Sequence, residues 1–262
     1  MNIVKIVSSL LKYRELLYEL TMREIKQRYK QSVLGYAWVI LNPFFQMLVM
    51  SFVFSYIMRI GNLGVPYPIY LYAGLLPWTL FSNSISSSMG ALVGNAGLLT
   101  KIYFPREIFV ISTILAKVID YFLAGSVFVL MMIYYQLPIT WNILWFVPIF
   151  GIQMIFTYGL SLIMSAFNLF YRDIQYVMGL VLMIWMYLTP VIYPVELFPP
   201  EYRWIFQLNP MAVIINAYRQ VILGGGAPNF FSLSIALGLS LALLFIGYKL
   251  FKKLEGQFAD VV

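Results

Sequence analysis

Residue types that perform chemistry are scarce in this sequence of 262 residues, which contains neither histidine nor cysteine. Their absence removes Cys/His zinc sites, thiol nucleophiles and every catalytic triad that depends on an imidazole. Serines cluster from Ser82 to Ser88, but without a histidine or a nearby lysine none of them has an activating base. Glu196 and Glu201 are better explained as exposed loop charge than as a catalytic pair. The sequence therefore predicts no catalytic residue and no metal ligand.

Asp120 is the only carboxylate inside a long apolar stretch, and Lys117 precedes it on the same face of a helix. Coupling sites of secondary transporters lie near the membrane midplane, whereas this pair lies near the start of its stretch. We therefore interpret the pair as a structural ion pair rather than a proton relay. The sequence also lacks a Gly-x-x-x-x-Gly-Lys phosphate loop, so energy for uphill transport would come from another subunit.

The composition is that of an integral membrane protein. Hydrophobic residues make up 62% of the chain and charged residues 10%, which is too little charge to coat a soluble domain. A membrane-spanning helix needs roughly 20 apolar residues, and the long uncharged stretches provide room for six. We predict an all-α integral membrane fold, a single transmembrane domain over residues 1–262, with spans at residues 34–58, 68–90, 110–135, 143–168, 175–193 and 231–250.

The positions of the basic residues predict the orientation. With six spans, all of the 17 Lys and Arg except Arg59, Arg203 and Arg219 fall on one side, which the positive-inside rule assigns to the cytoplasm. Both termini are then cytoplasmic, and topology explains the charge of +7 without nucleic acid. A seventh crossing would move the basic tail outside, so residues 194–229 are predicted to form external re-entrant helices. Residues 1–30 are predicted to form a cytoplasmic interface region with an amphipathic helix.

Aromatic residues make up 18% of the chain, more than the belts at the two membrane surfaces require. Most of them must face lipid or pack between helices. The others are suited to line a conduit, because flat aromatic faces stack on sugars while Tyr hydroxyls bond to them. The candidates for this lining are Tyr36, Trp38, Phe44, Phe45, Tyr72, Trp78, Trp185 and Tyr187.

Residues 95–107 form a short amphipathic stretch that is suited to insert into a groove of a soluble partner. An ordinary surface helix is the alternative interpretation of the same pattern.

Four motifs, taken in order, resemble the membrane subunits of ATP-binding-cassette exporters for lipid-linked polysaccharides, of the O-antigen and teichoic-acid type. Arg28–Gly35, followed by Trp38 and Asn42–Pro43, is similar to that family's approach to its first span. The family's coupling helix is similar to the stretch that contains Leu98, Lys101, Phe104, Pro105 and Arg106. Its second cytoplasmic loop resembles Tyr171–Ile174, and its external re-entrant helices resemble Leu208–Met211 with Arg219.

The resemblance implies a homodimer of this chain that assembles with two copies of a separate ATP-binding cassette subunit in the bacterial inner membrane. That partner would bind ATP and Mg, and this chain would hold no cofactor. The complex would export lipid-linked polysaccharide through an aromatic-lined channel. The residues implied to couple the chain to the ATPase are Leu98, Lys101, Phe104, Pro105, Arg106, Arg172 and Asp173.

Four basic residues, Arg23, Lys26, Arg28 and Lys30, lie where a lipid diphosphate would enter from the cytoplasm. Cationic side chains at that surface would attract the diphosphate, although ordinary positive-inside topology explains the same charges equally well.

Two further functions stay open. An exporter subunit for drugs or small lipids would share the six spans and the coupling loop. A membrane enzyme of glycolipid assembly would need a carboxylate or basic cluster that this sequence lacks.

Overall fold

A computed structural model of the chain describes residues 12–29, 32–58, 64–99 and 104–261. These residues form helices and turns and include no strand, which confirms the predicted all-α class. The α-helices are α1 (Arg14–Tyr29), α2 (Trp38–Ser51), α3 (Tyr67–Ala91), α4 (Ala96–Leu99), α5 (Glu107–Tyr134), α6 (Phe146–Phe170), α7 (Ile174–Leu188), α8 (Pro210–Ile222), α9 (Phe230–Leu254) and α10 (Phe258–Val261). A π-helical turn (Phe52–Ile57) extends α2, and the 3-10 helices are Gly35–Ala37, Val93–Asn95, Trp141–Trp145, Val195–Leu197, Pro200–Leu208 and Glu255–Gln257.

Four stretches of the described chain are long and apolar enough to cross a membrane, namely Gly35–Ile57, Glu107–Tyr134, Trp141–Phe170 and Phe230–Gln257. Helix α7 is apolar but has only 15 residues. Helix α3 has 25 residues and lies at the centre of the bundle with most of its side chains buried. Because its neighbours shield it, it can carry small polar residues such as Ser84 and Ser88, both fully buried, which suit close helix packing.

Two predicted segments differ from the observed helices. In the predicted coupling helix 95–107, the structure describes Ala96–Leu99 as helical and residues 104–106 as non-helical. Pro105 disfavours the helical conformation of the residue before it, and α5 begins only at Glu107. The fifth span was expected over residues 175–193, but α7 ends at Leu188. At the N-terminus, residues 1–11 of the predicted interface region lie outside the described residues, and α1 begins at Arg14.

Both described ends of the chain lie at one end of the bundle, here called the terminal end. Leu20 of α1, Leu99 of α4 and Phe258 of α10 are buried in one apolar cluster. The rings of Phe251 and Phe258 are 5.2 Å apart, edge to face, and Phe170 at the end of α6 lies 6.1 Å from Phe258. The loops after α3 and α6 therefore meet the two ends of the chain here.

The other end, here called the opposite end, is closed by the segment between α7 and α9. Helix α8 packs into the main core through residues such as Ile214 and Ile215, both fully buried. Asn209 caps α8 by accepting a hydrogen bond from the backbone N–H of Met211 at 3.1 Å, and its side chain also accepts one from Trp185 Nε1 at 3.2 Å. With 13 residues, α8 is about 20 Å long, less than the ~30 Å hydrocarbon core of a bilayer.

Helices α6 and α9 approach each other most closely at Gly159 and Gly247. A Cβ atom on Gly159 would lie 2.8 Å from the Cα of Leu244, and one on Gly247 would overlap the carbonyl oxygen of Gly159. Small residues let helix backbones touch in this way in membrane proteins. The contact depends on backbone atoms, which cannot move aside as a flexible side chain would.

Gly247→Ala should therefore destabilise the protein by about 1–3 kcal/mol through overpacking. Gly238→Ala in the same helix is the matched control, because a Cβ at Gly238 meets nothing within 4 Å. Thermal unfolding in detergent, followed by tryptophan fluorescence, measures both variants. Equal melting temperatures for the two would contradict the close approach of α6 and α9.

Candidate functional site

A cavity of about 520 Å³ opens between α2, α3, α5 and α7, and we call it the groove. Two of these helices belong to the stretches long and apolar enough to cross a membrane. Polar lining at membrane depth is tolerated where it faces a water-filled space. The polar residues of the groove are Asn42, Gln46, Thr79, Ser82, Asn83, Lys117 and Asp120.

Three of the predicted channel aromatics meet at the groove. Trp38 and Trp78 line it, and the Tyr36 hydroxyl donates to Asp120 Oδ1 at 3.5 Å. Trp38 is 38% exposed, whereas Trp78 is 3% exposed. The groove thus combines an accessible aromatic face with hydrogen-bonding side chains.

The other predicted aromatics lie elsewhere. Phe45 and Tyr187 are exposed on the surfaces of α2 and α7, and Phe44 packs partly against the main core. Trp185 packs in an aromatic cluster with its ring 6.4 Å from that of Trp78. Tyr72 is fully buried and donates its hydroxyl proton to the Ala124 carbonyl at 3.0 Å. Tyr72 therefore has no surface from which to contact a substrate in this conformation.

The carboxamides Gln46 and Asn83 line the groove but were not among the predicted site residues. The available signal was their position inside long uncharged stretches, where a polar side chain needs either a partner or water. The sequence alone does not say which, because Gln153, in a similar position, is fully buried and bonds to the Pro77 carbonyl at 2.8 Å.

At the opposite end, Arg219 is buried with 6% exposure. Its guanidinium donates to the carbonyl oxygens of Pro190 at 2.6 Å and Val191 at 2.5 Å. It also donates to the Tyr70 hydroxyl at 2.9 Å and lies 3.8 Å from the centre of that ring. A Cβ atom at Gly74 would lie 2.5 Å from Nη2 of Arg219, so the missing side chain at Gly74 makes room for the guanidinium.

An ion cluster at the terminal end joins the start of α5 to the end of α9. Lys252 Nζ lies 2.7 Å from Glu107 Oε2 and 2.9 Å from Glu255 Oε2. The backbone N–H of Arg106 donates to Glu255 Oε1 at 3.1 Å, and its guanidinium donates to the Glu255 carbonyl. Glu107 is 3% exposed, so its charge depends on Lys252.

The residues implied to couple the chain to an ATPase lie at this terminal end. Phe104 is 5% exposed and belongs to the terminal core, and Leu98 packs partly against it. Pro105 and Arg106 are half-buried, whereas Arg172 and Asp173 are exposed in the turn between α6 and α7. Lys101 lies outside the described residues.

The basic residues of α1 border an open cleft of about 890 Å³ between α1 and the chain at Gly35 and Tyr36. Arg23 and Lys26 line this cleft, and the Arg23 guanidinium donates to Asn95 Oδ1. Lys30 and the side chain of Arg28 lie outside what the structure describes.

A bundle of long apolar helices with a polar groove between them defines an α-helical membrane protein of the transporter type. Residues 15–223 match the ABC-2 type transporter family. The chain belongs to this family, and it is a multi-pass protein of the bacterial inner membrane.

Relatives named for polysaccharide transport align with nearly the whole chain. The O-antigen export system permease protein RfbA of Klebsiella pneumoniae is 32% identical over 95% of each chain. The protein of the same name from Myxococcus xanthus is 32% identical over 99% of this chain and 100% of its own. The polysialic acid transport protein KpsM of Escherichia coli is 27% identical over 90% of this chain and 92% of its own.

Arg219→Met should destabilise the protein by about 3 kcal/mol, because it leaves the buried carbonyls of Pro190 and Val191 without donors. Arg203→Met is the matched control, since Arg203 also donates to two backbone carbonyls but at an exposed position. Thermal unfolding of both variants tests the prediction. A loss at Arg219 no larger than that at Arg203 would show that burial adds nothing to the contact.

Lys252→Met should also cost about 3 kcal/mol, because it leaves the Glu107 carboxylate buried without its cation. The double variant Glu107→Gln with Lys252→Met should recover part of this loss by removing the stranded charge. Lys253→Met, at the exposed neighbouring position, is the control. Chemical unfolding of the purified variants measures all three, and a double variant less stable than Lys252→Met would contradict the explanation.

Proposed function

We propose that this chain is the transmembrane subunit of an ATP-driven exporter that moves lipid-linked polysaccharide, O-antigen or similar, from the cytoplasm across the inner membrane. The observation that carries the proposal is the groove between apolar helices, which combines tryptophan with polar side chains. It occurs in a chain whose full-length relatives are named for O-antigen export and polysialic acid transport. Exposed indole faces suit the apolar faces of sugars, and carboxamides suit their hydroxyls.

Six crossings are the arrangement that we propose. The six spans are α2 with its π-helical turn, α3, α5, α6 with the turn before it, α7, and α9. An even number of crossings returns the chain to its starting side, and α1 and α10 do share one core. The excess of basic residues favours that terminal end for the cytoplasm. Helix α8 and the 3-10 helix Pro200–Leu208 would then be the external re-entrant helices.

A homodimer would convert the open groove into a conduit. Helices α2 and α7, which form two walls of the groove, also carry exposed apolar side chains. These include Phe45 and Val49 on α2 and Leu180 and Ile184 on α7. Two copies that face each other across these helices would bury the apolar residues and enclose the polar lining. The lining would hold a glycan by many weak contacts, so that it can move on.

Energy for transport would come from two ATP-binding subunits docked at the terminal end, and this chain would not act as an enzyme. Those subunits would bind ATP and Mg, and this chain would hold no cofactor. Leu98, Arg172 and the Phe104–Arg106 segment border that end, and Lys101 belongs to the same proposed contact. The ion cluster fastens Arg106 and Glu107 to the end of α9. A push on the loop would therefore reach α5 and α9 together.

The cleft beside α1 is the proposed access point for the lipid diphosphate. Arg23 and Lys26 line it, and Arg28 and Lys30 follow on the same segment. Each Lys or Arg near an anionic membrane surface contributes about 1 kcal/mol of attraction. A diphosphate would be drawn here by charge, with its sugar chain directed toward the groove.

The experiment expresses the chain with a candidate ATP-binding cassette subunit from the same genome in a strain that lacks its own polysaccharide exporter. We expect the pair to restore surface glycan, and Trp38→Ala to lower the amount several-fold because it removes the accessible aromatic face of the groove. Trp141→Ala is the matched control, since Trp141 is 88% exposed outside the groove. Surface glycan is measured by gel and antibody, and assembly by co-purification.

Two results would contradict the proposal. The first is an assembled complex that hydrolyses ATP but displays no glycan. The second is ATP hydrolysis stimulated by drugs or small lipids and not by lipid-linked glycan, which would favour the alternative exporter class.

A further inference from the structure

A second polar cleft lies at the opposite end of the bundle, away from the groove. It has a volume of about 190 Å³ and lies between the 3-10 helix Pro200–Leu208, α8 and the start of α9. This volume is below the ~300–1,000 Å³ of pockets that hold drug-sized ligands, so the cleft suits one small ligand rather than a long chain. Its polar side chains are Arg203, Gln207, Asn216, Gln220, Asn229 and Ser232.

Helix α8 presents carboxamides to this cleft. From Pro210 to Arg219 every residue of α8 is buried except Asn216, which is exposed. The buried neighbours Ala212 and Ala217 also line the cleft, and their small side chains leave room beside Asn216. Gln220 lies one turn further along the same face. The carboxamides of Asn216 and Gln220 thus share one face of α8, whereas polar side chains of a surface loop can point in any direction into water.

Hydrogen bonds hold the rim of the cleft in place. Gln220 Oε1 accepts from the backbone N–H of Asn229 at 3.1 Å. Asn229 Oδ1 in turn caps α9 by accepting from the backbone N–H of Ser232 at 3.1 Å. The ring of Phe206 forms an apolar wall, edge to face with Phe198 at 4.9 Å. The lining is therefore preorganised, which lowers the entropic cost of binding a ligand.

The charge of the cleft does not favour an anion. Among the described residues that line it, the basic one is Arg203, and its Nε and Nη2 donate to the carbonyl oxygens of Phe198 and Glu196, both at 2.9 Å. The remaining lining offers neutral donors and acceptors. A carboxamide donates and accepts at once, which suits a ligand with adjacent hydroxyl groups better than a phosphate or a carboxylate.

We propose that this cleft binds one neutral, hydroxyl-bearing sugar unit of a glycan on the external side of the membrane. The inference rests on the proposed function and adds to it a sugar site separate from the groove. Phe206 would contact the apolar face of the sugar, while Asn216 and Gln207 exchange hydrogen bonds with its hydroxyls. A small open site of this kind binds weakly, so a moving chain can occupy it and leave it.

The test uses the full chain with its ATP-binding subunit in lipid nanodiscs and saturation-transfer-difference NMR. The neutral probes are the methyl glycosides of glucose, mannose and N-acetylglucosamine, and the anionic probes are methyl glucuronate and glycerol phosphate. We expect transfer to a neutral glycoside and an affinity about fivefold lower in Asn216→Leu, which corresponds to the loss of one hydrogen bond. Gln207→Ala, at an exposed position of the rim, should act in the same direction.

The matched control is Gln257→Leu, which removes an exposed carboxamide at the terminal end and should leave transfer unchanged. Absence of transfer to all three neutral glycosides would overturn the inference. Equal affinity in Asn216→Leu and wild type, or stronger transfer to the anionic probes, would overturn it too. Surface display of glycan by the wild-type pair is measured separately. If the wild-type pair displays glycan but the cleft binds no glycoside, only this inference is wrong. If the wild-type pair displays no glycan, the proposed function is wrong.

Discussion

The buried guanidinium of Arg219 is the contact on which the opposite end of the bundle depends, because it joins three segments that no single helix connects. Helix α7 ends early, and the carbonyls of Pro190 and Val191 that follow it need donors in surroundings that exclude water. Arg219 on α8 supplies those donors at 2.6 and 2.5 Å and also bonds to Tyr70 on α3. Gly74 makes the room. One cation thus joins the segment after α7 to α8 and α3, and α8 packs into the main core beside them.

At the terminal end, charged side chains hold two helices together. Ionic contacts fasten the start of α5 to the bundle in addition to the apolar packing of Phe104. Lys252 bridges the buried Glu107 and Glu255, and Arg106 bonds to the backbone of Glu255. These contacts join the start of α5 to the end of α9, and α5 also borders the groove.

Between the two ends, the central position of α3 makes the groove possible. Its buried serines let neighbouring helices pack closely, while Ser82 and Asn83 on another face meet the groove. The polar side chains of α2 and α5 are tolerated because they face that space and not lipid. Trp38 combines accessibility with a large flat surface. The groove offers broad, shallow contact and no tight pocket, which suits a long substrate that has to keep moving.

Much of the helical organisation could be predicted from the sequence, because long apolar stretches are favoured in lipid and charged residues lie between them. The direction in which each side chain points could not be predicted. Tyr72, Trp38 and Trp185 look alike as aromatics in apolar stretches, yet Tyr72 is sealed inside, Trp38 borders the groove and Trp185 packs in a cluster. Aromatic rings are equally at home in lipid, in a core and beside a sugar. Within the stretch 95–107, the stop before Pro105 could be anticipated from the sequence, because proline disfavours a helical conformation in the residue before it.

The sequence by itself determined that this protein lies in a membrane, that it is helical, and that it has no histidine or cysteine chemistry, since each of these follows from composition along the chain. Only the tertiary structure decided where the chemistry lies. The groove takes its polar residues from α2, α3 and α5, the seat of Arg219 takes its acceptors from α3 and the turn after α7, and the small cleft takes its carboxamides from three separate segments. Such sites arise from packing between residues far apart in sequence, which no local pattern encodes.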